Sequence, residues 1–257
     1  MFTVLNFEKK SGKMLFANKK IRCKSVQVAE AQYYIITVKT ANNKVKWKKI
    51  KKIAGNSAKY IIIPPNVTLP DGIIRYDSTA YRRQILFNTF TKAISKCNPR
   101  NLSLGLLDAD ARYCNLLYRL VKSAATVTVF TLCKETYQKT CDDVYRTMGS
   151  APLMTDDIYM LNRCTCVFSP AKFNVFNITI NEYLFGYSGF NFVGDDIVLP
   201  SPFCSEIPKD IDPLDYAAAL SERCKVTELN SLSAMFLRRQ GEKILLSKLQ
   251  YNISSLT

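Results

Sequence analysis

The sequence predicts an α/β protein, with a mostly parallel sheet, helices on both of its faces and short antiparallel elements at the termini. Apolar stretches of strand length alternate with amphipathic stretches of helix length between residues 33 and 168. This alternation is typical of parallel sheets that helices cover on both sides. Glycine and proline residues interrupt the alternation, and they mark the turns that separate its elements.

Residues 1–100 are predicted to form a basic N-terminal α/β domain that begins with a β-hairpin. Two apolar stretches around a Lys-Ser-Gly-Lys turn indicate the hairpin. Runs of β-branched and aromatic residues predict strands, helical periodicity predicts helices, and Gly55 is a typical helix stop. The predicted elements are the hairpin over 1–7 and 13–17, strands over 33–38 and 60–63, and helices over 43–54 and 79–96.

Residues 101–257 are predicted to form the second domain, with a C-terminal extension. Strands and helices alternate until Pro170, after which the pattern becomes less regular. Pro213 fits the first turn of a helix, where its missing N–H has no intrahelical partner to lose. The predicted elements are strands over 102–107, 127–131, 152–154, 164–168, 175–180 and 197–199, helices over 111–122, 134–148 and 213–223, a helical turn over 156–162, and short strands around a turn near Gly241.

The residue types present limit the chemistry that the chain can perform. It contains no histidine, which excludes Ser-His-Asp and Cys-His nucleophile systems and mixed Cys/His zinc sites. Its nine cysteines lie within apolar patterns and form no C-x-x-C pair, so we expect free thiols in a reducing compartment and no bound metal. The first residues lack the long apolar stretch of a secretory signal, and no run of eighteen apolar residues predicts a membrane span. We therefore expect a cytoplasmic protein.

Positive charge is concentrated at the N-terminal end. The formal net charge is +15, and residues 1–60 contribute 15 Lys/Arg against two acids. On one face of the predicted helix over 43–54 lie Lys44, Lys48, Lys51 and Lys52. Such a face predicts either a solvated helix surface or a patch that contacts the phosphates of a nucleic acid. An acidic protein is the other partner that this patch would fit.

Residues 102–170 resemble the nucleotide-binding half of Rossmann dehydrogenases. The stretches that carry the resemblance are LSLGLLDAD, ATVTVFT, APLMTDDIYML and CTCVFSP, with helical patterns between them. The resemblance implies a Rossmann-like second half, NAD or NADP as the cofactor, and a ligand at the carboxyl ends of the strands. The candidate cofactor-binding residues at these strand ends are Asp108, Asp110, Thr131, Cys133, Lys134 and Ser169.

The first turn departs from the family pattern. A dinucleotide site has G-x-G-x-x-G between the first strand and helix, because the backbone must approach the pyrophosphate closely. Here the turn reads Asp108-Ala109-Asp110-Ala111, and the nearest glycine, Gly105, lies inside the predicted strand. Two carboxylates at this place would repel a phosphate. They can instead cap the following helix, or bind a cation, a ribose hydroxyl or an amine.

Two further stretches have both structural and functional interpretations. Gly194-Asp195-Asp196 resembles the palm motif of nucleic-acid polymerases, which binds two metal ions, although the same residues are common in turns. The glycine- and aromatic-rich stretch over 184–192 predicts a pocket wall, a partner surface or a core plug.

Three functions remain open from the sequence. The first is a protein that binds a small molecule or a protein partner at the carboxyl ends of its strands, with or without a catalytic role. The second is an NAD(P)-dependent oxidoreductase with an altered phosphate loop. The third is a nucleic-acid-binding protein that uses the basic N-terminal domain. A fold of this kind does not choose among them.

Overall fold

The computed structural model of the chain describes residues 1–9, 21–40, 45–64, 66–170, 173–175, 178–180, 192–208, 210–239 and 241–254. Two compact units make up the chain. Unit 1 comprises Met1–Arg82 and Ile197–Leu232, and unit 2 comprises Arg83–Asp196 and Ser233–Thr257. Each unit therefore combines two separate stretches, whereas the division predicted from the sequence placed a single boundary at residue 100.

Strands and helices alternate along the described chain, and the predicted α/β fold class is confirmed. In chain order the elements are β1 Thr3–Lys9, β2 Ile21–Val28, β3 Ala31–Thr40, α1 Trp47–Ala54, β4 Tyr60–Ile62, β5 Ile74–Arg75, α2 Thr79–Ile94, β6 Ser103–Leu107, α3 Leu117–Leu120, β7 Thr126–Phe130, α4 Lys134–Met148, β8 Leu153–Thr155, β9 Cys166–Phe168, β10 Phe173–Val175, β11 Ile178–Ile180, α5 Pro213–Cys224, β12 Phe236–Arg239, β13 Glu242–Leu245 and α6 Leu246–Ser254.

The sheet of unit 1 is mostly parallel. Its described strands follow the order β2-β3-β1-β4-β5, and β2 alone among them runs antiparallel to its neighbour, β3. The sequence predicted that β1 forms a hairpin with residues 13–17, which lie outside the described residues. Strand β1 instead lies between β3 and β4 and runs parallel to both, because its apolar residues Val4 and Leu5 are buried inside the sheet. The N-terminal antiparallel pair is β2–β3.

Helix α1 covers this sheet with one apolar face. Ile50 and Ala54 are buried against a cluster that includes Leu5, Ile36 and Ile61. The helix ends at Ala54 as predicted, because Gly55 has a φ of +54° that favours glycine. Its first described turn begins at Trp47 rather than at residue 43.

The described part of unit 2 contains a four-stranded, fully parallel sheet. Its strands follow the order β8-β7-β6-β9, and β6, the first in the chain, pairs with both β7 and β9. Leu104, Leu106 and Val129 are fully buried within this sheet. Helix α4 has the predicted bounds and ends before Gly149, whose φ of +67° is left-handed.

The predicted helix over 111–122 is much shorter in the structure. After β6 the chain stays in an irregular turn until Tyr113, forms one 3₁₀ turn over Cys114–Leu116, and becomes α-helical only in α3. The Asp108 carboxylate binds the backbone N–H groups of Arg112 and Tyr113, and Ala111 has a φ of +54°. These contacts hold the turn in a non-helical conformation, which delays the start of the helix.

Beyond Pro170 the chain differs from the prediction in three places. The single strand predicted over 175–180 is replaced by two strands, β10 and β11, which pair antiparallel. Residues 197–199, predicted as a strand, have no regular structure, and a 3₁₀ turn over Gly194–Asp196 precedes them. The hairpin around Gly241 is confirmed as β12–β13, but helix α6 was missed. Residues 184–191 of the aromatic-rich stretch lie outside the described residues, and Phe192 is buried. Among the described helices, none combines the length and the apolarity that a membrane crossing requires.

Candidate functional site

Three of the predicted site residues lie at one edge of the unit 2 sheet. Asp108, Thr131 and Ser169 directly follow β6, β7 and β9, and all three are buried. Backbone hydrogen bonds continue the sheet at this point, from Asp108 N to Phe130 O at 3.0 Å and from Thr131 N to Thr155 O at 2.9 Å. We call the residues at the carboxyl ends of β6, β7, β8 and β9 the carboxyl edge; these are 108–113, 131–134, 155–159 and 169–170.

The Asp108 carboxylate is used within the protein. Oδ1 accepts the N–H of Arg112 at 3.0 Å, while Oδ2 accepts the N–H of Tyr113 at 2.7 Å and the hydroxyl of Tyr137 at 2.6 Å. Burial raises the pKa of Asp108, although these three hydrogen bonds act in the opposite direction. Asp108 therefore fastens the turn after β6 to helix α4, which carries Tyr137.

Burial also raises the pKa of two further ionisable groups beside Asp108. Burial, together with the negative charge of Asp108, raises the pKa of Tyr137 far above its ordinary value. Burial likewise raises the pKa of the Cys114 thiol, whose Sγ donates to the Ala111 carbonyl at 3.2 Å. A protonated thiol is a poor nucleophile, so this cluster has the character of a structural network and not of an activated catalytic centre.

The remaining predicted residues form local contacts at the carboxyl edge. Thr131 Oγ1 accepts the N–H of Cys133 at 3.1 Å, which fixes the chain just before α4. Lys134 pairs with Asp156 at 2.9 Å. Asp110 pairs with Arg112 at 3.0 Å, and the Cys133 side chain is exposed. The edge thus presents two exposed ion pairs above buried polar groups that already have partners.

Asp195 and Asp196 do not form a pair of metal-binding carboxylates. Asp196 is fully buried, and it accepts hydrogen bonds from Arg238 Nε at 2.7 Å, Arg238 Nη2 at 3.1 Å and the N–H of Val193 at 3.0 Å. Lys243 adds an ion pair at 3.2 Å, whereas Asp195 is exposed. Within the described ranges, no group of three or more Cys, Asp or Glu side chains is placed to hold a metal ion. The Gly-Asp-Asp stretch anchors the β12–β13 hairpin, and no local sequence signal links it to Arg238.

The predicted basic face of α1 is present in the part of the helix that the structure describes. Lys48, Lys51 and Lys52 are exposed, and the buried Ile50 and Ala54 lie on the opposite face. Lys51 Nζ donates to the carbonyl of Asp71 at 2.9 Å, which leaves Lys48 and Lys52 directed to solvent. Lys44, the fourth predicted member, lies outside the described residues.

Unit 1 also contains an open pocket that the sequence did not reveal. Its volume is about 520 Å³, and Tyr34, Asn56, Tyr60, Glu222, Arg223 and Lys225 contribute to its wall. These residues come from β3, from the 3₁₀ turn after α1, from β4 and from the end of α5. Because they are up to 191 positions apart in the chain, between Tyr34 and Lys225, no local motif could have predicted that they meet.

Comparison with known proteins gives no match to this chain. No protein-family model, no curated protein sequence and no solved structure is significantly similar to it. The function must therefore be argued from the geometry of the two units themselves.

Proposed function

We propose that this chain is an intracellular binding protein with a Rossmann-like unit 2, which takes a small molecule or a protein partner at the carboxyl edge and has no need of a dinucleotide. The observation that carries the proposal is the strand order. When β6 is counted as strand 1, β7 as 2, β8 as 3 and β9 as 4, the parallel strands lie in the order 3-2-1-4. The first four positions of the dinucleotide-binding sheet have this same order. The free state of all nine cysteines supports a reducing compartment.

This strand order places a switch point between β6 and β9. The chain proceeds from β6 to β7 and β8 on one side, and then returns to the other side of β6 to form β9. Ligands of open α/β sheets bind outside the carboxyl ends of the strands at such a point. In this chain Asp108 and Ser169 follow the two strands concerned.

The turn after β6 argues against the oxidoreductase alternative. In a dinucleotide site the N–H groups of this turn bind the pyrophosphate. Here the N–H groups of Arg112 and Tyr113 bind the Asp108 carboxylate. A side chain of the protein therefore occupies the donors that a pyrophosphate would need. An incoming phosphate would have to displace a buried carboxylate, and it would lie beside the charges of Asp108 and Asp110.

A ligand at the carboxyl edge would meet two exposed ion pairs and two exposed apolar groups. The pairs are Asp110–Arg112 and Lys134–Asp156. Leu132 is 52% exposed and Tyr159 is 70% exposed. This mixture suits a neutral or zwitterionic molecule, or the rim of a protein partner, better than a polyanion.

A thermal-shift screen of the full chain tests this proposal. A ligand present at 100 times its Kd stabilises the protein by about 2.7 kcal/mol. We expect no shift of the melting temperature from NAD, NADP or their reduced forms that depends on carboxyl-edge residues. We expect such a shift from at least one member of a panel of amino acids, small metabolites and peptides. That shift should fall by more than half in the double variant Asp110→Asn/Lys134→Gln.

The matched control removes the same two charges from the outer surface of α4. Lys139 and Asp142 are exposed on this helix, and Lys139→Gln/Asp142→Asn should leave the ligand-induced shift unchanged. Equal losses in both double variants would show that the ligand binds elsewhere. A shift with NAD or NADP that disappears in Asp110→Asn/Lys134→Gln would favour the oxidoreductase alternative instead.

Nucleic-acid binding is a second candidate, favoured by the charge of unit 1. The two stretches of unit 1 contain 20 Lys/Arg against 10 Asp/Glu, a formal balance of +10, whereas unit 2 has a balance of +5. Lys48 and Lys52 are exposed one helical turn apart on α1. Such a helix face can track the phosphates of a nucleic-acid backbone.

A further inference from the structure

The open pocket of unit 1 has the composition of a site for an aromatic anion. Its volume of about 520 Å³ falls within the range of about 300–1,000 Å³ that is usual for small-molecule sites. Two tyrosines, Tyr34 and Tyr60, line it together with the cationic side chains of Arg223 and Lys225. The pocket lies within unit 1, so nothing said of it depends on the function proposed for unit 2.

Among the described residues, no carboxylate forms an ion pair with the cationic side chains of the pocket wall, which are those of Arg223 and Lys225. Glu222 also lines the pocket, but its carboxylate accepts a hydrogen bond from the Tyr76 hydroxyl. Burial raises the pKa of Tyr76, and the hydrogen bond to Glu222 raises it further, so Tyr76 keeps the proton that it donates. An anion entering the pocket would therefore meet the cationic side chains of Arg223 and Lys225, and a carboxylate that already has a donor.

The cationic side chain of Arg223 is held in a fixed position. Its guanidinium lies 3.6 Å from the centre of the Tyr60 ring, and Lys59 Nζ lies 5.7 Å from the same centre. A guanidinium that stacks on a ring keeps its N–H groups available at its edge. Those donors suit the oxygens of a phosphate, which they can bind in pairs. Because this stack already restricts the Arg223 side chain, binding would cost little additional side-chain entropy.

The aromatic and amide groups add a second kind of recognition. The Tyr34 ring is partly exposed in the pocket wall, where it can stack with a planar ring. Asn56 is exposed beside it in the same wall, and its amide offers both a donor and an acceptor. A planar heterocycle joined to a phosphate satisfies all four groups, whereas a simple inorganic anion satisfies only the two cations.

We propose that this pocket binds a nucleoside phosphate, with Arg223 and Lys225 on the phosphate, Tyr34 on the base and Asn56 at the edge of the base. Two sources supply this chemistry. One is a free mononucleotide, and the other is the 5′-terminal nucleotide of a phosphorylated strand. Helix α1 ends at Ala54 in the pocket wall, and the exposed Lys52 lies in its last turn, so a strand could continue from the pocket along this helix.

Isothermal titration of the full chain tests the proposal. The probes are the four ribonucleoside 5′-monophosphates, their unphosphorylated nucleosides, inorganic phosphate and a 5′-phosphorylated tetranucleotide. We expect at least one monophosphate to bind at least tenfold more tightly than its nucleoside and than inorganic phosphate. A tenfold ratio corresponds to about 1.4 kcal/mol. Raising the salt concentration should weaken this binding.

Two pocket variants and one control identify the site. Arg223→Gln and Lys225→Asn each remove one charge, and asparagine tolerates the left-handed φ of +64° at residue 225. Each variant should raise the Kd for the monophosphate at least fivefold. Lys248→Gln removes an exposed charge of α6, in unit 2, and should leave the Kd unchanged. Circular dichroism checks that all three variants keep their fold.

The outcomes separate the two sources and allow the proposal to fail. Tighter binding of the tetranucleotide, weakened by Lys48→Gln while monophosphate binding is unchanged, assigns the pocket to the end of a strand. Equal affinity for both probes assigns it to a free nucleotide. If no monophosphate binds below about 5 mM and the tetranucleotide does not bind either, or if the pocket variants bind like the wild-type chain, the proposal is wrong.

Discussion

The Tyr137 hydroxyl donates a hydrogen bond to Asp108 Oδ2 at 2.6 Å, although 29 positions separate the two residues. Both side chains are fully buried, and the same carboxylate holds the N–H groups of Arg112 and Tyr113. Asp108 therefore connects the end of β6 to helix α4 and to its own turn. Asp108 thus anchors a turn that lacks the G-x-G-x-x-G pattern of dinucleotide sites.

Replacing Asp108 by asparagine should destabilise the protein. One carboxylate oxygen becomes an NH₂ group, which cannot accept a hydrogen bond from a backbone N–H or from a hydroxyl. A buried donor that loses its acceptor costs about 1–3 kcal/mol, so we expect a loss of about 2–4 kcal/mol. Urea unfolding followed by circular dichroism measures it. Asp110→Asn is the control, because Asp110 is exposed and its pair with Arg112 should contribute less than about 1 kcal/mol. Equal effects of the two substitutions would refute the anchoring role.

Asp196→Asn should destabilise the protein while Asp195→Asn should not. Asp196 is buried and binds Arg238 in a two-point contact, whereas its neighbour Asp195 is exposed. Arg238 and Lys243 are partly exposed and can regain water, so the expected loss is about 1–3 kcal/mol. Titration with Mg²⁺ provides a second readout. If Mg²⁺ stabilises the wild-type chain and neither variant, the polymerase-like interpretation would return.

The same residue predicts how stability depends on pH. Burial raises the pKa of Asp196, but the hydrogen bonds from Arg238, Val193 and Lys243 outweigh it and leave the pKa below its ordinary value. The unfolded chain therefore binds the proton of Asp196 at a higher pH than the folded chain. The contribution of ionised Asp196 to the free energy of unfolding is complete above about pH 4 and is lost as the pH falls further. The acid-induced loss of stability should be smaller in Asp196→Asn than in the wild-type chain, which urea titrations between about pH 2 and 6 can measure.

Gly105→Ala should destabilise unit 2 through crowding. A Cβ at this position would lie 3.0 Å from Leu161 Cδ2, 3.1 Å from Val167 Cγ2 and 3.3 Å from Cys164 Sγ. Overpacking of this kind costs about 1–3 kcal/mol. Leu161→Val should shorten the closest side chain and so relieve part of the crowding. The double variant should therefore lose less free energy of unfolding than the sum of the losses in the two single variants. Strict additivity of the two changes would contradict this explanation.

Charge reversal on α1 tests the nucleic-acid candidate. Lys48→Glu/Lys52→Glu places two carboxylates on the exposed face of the helix, and should weaken binding of a mixed-sequence single-stranded oligonucleotide more than tenfold. Each lost phosphate contact should also reduce the slope of log K against log salt by about 0.7. Lys139→Glu/Lys248→Glu, which reverses two exposed charges of unit 2, is the control for net charge. The α1 face is not the binding surface if both double variants lose affinity equally.

Local sequence signals predicted much of the secondary structure. The apolar runs at residues 102–107 and 127–131 correspond to β6 and β7, and the helical pattern with a terminal glycine corresponds to α4 and Gly149. These signals lie within single elements, where periodicity and end residues act over a few positions. They also located Asp108, Thr131 and Ser169 at the ends of parallel strands, because such strands end at one edge of their sheet.

The sequence by itself determined the fold class, the absence of histidine chemistry and the basic character of α1. The tertiary structure alone decided how the polar groups are used. Asp108 meets Tyr137, Asp196 meets Arg238, and Tyr60 meets Arg223, across separations of 29, 42 and 163 positions. Such pairs depend on the order in which strands and helices pack. Short-range patterns of residues do not predict that order. For this reason the sequence could not predict that the Asp108 carboxylate binds Tyr137, or that a pocket forms in unit 1.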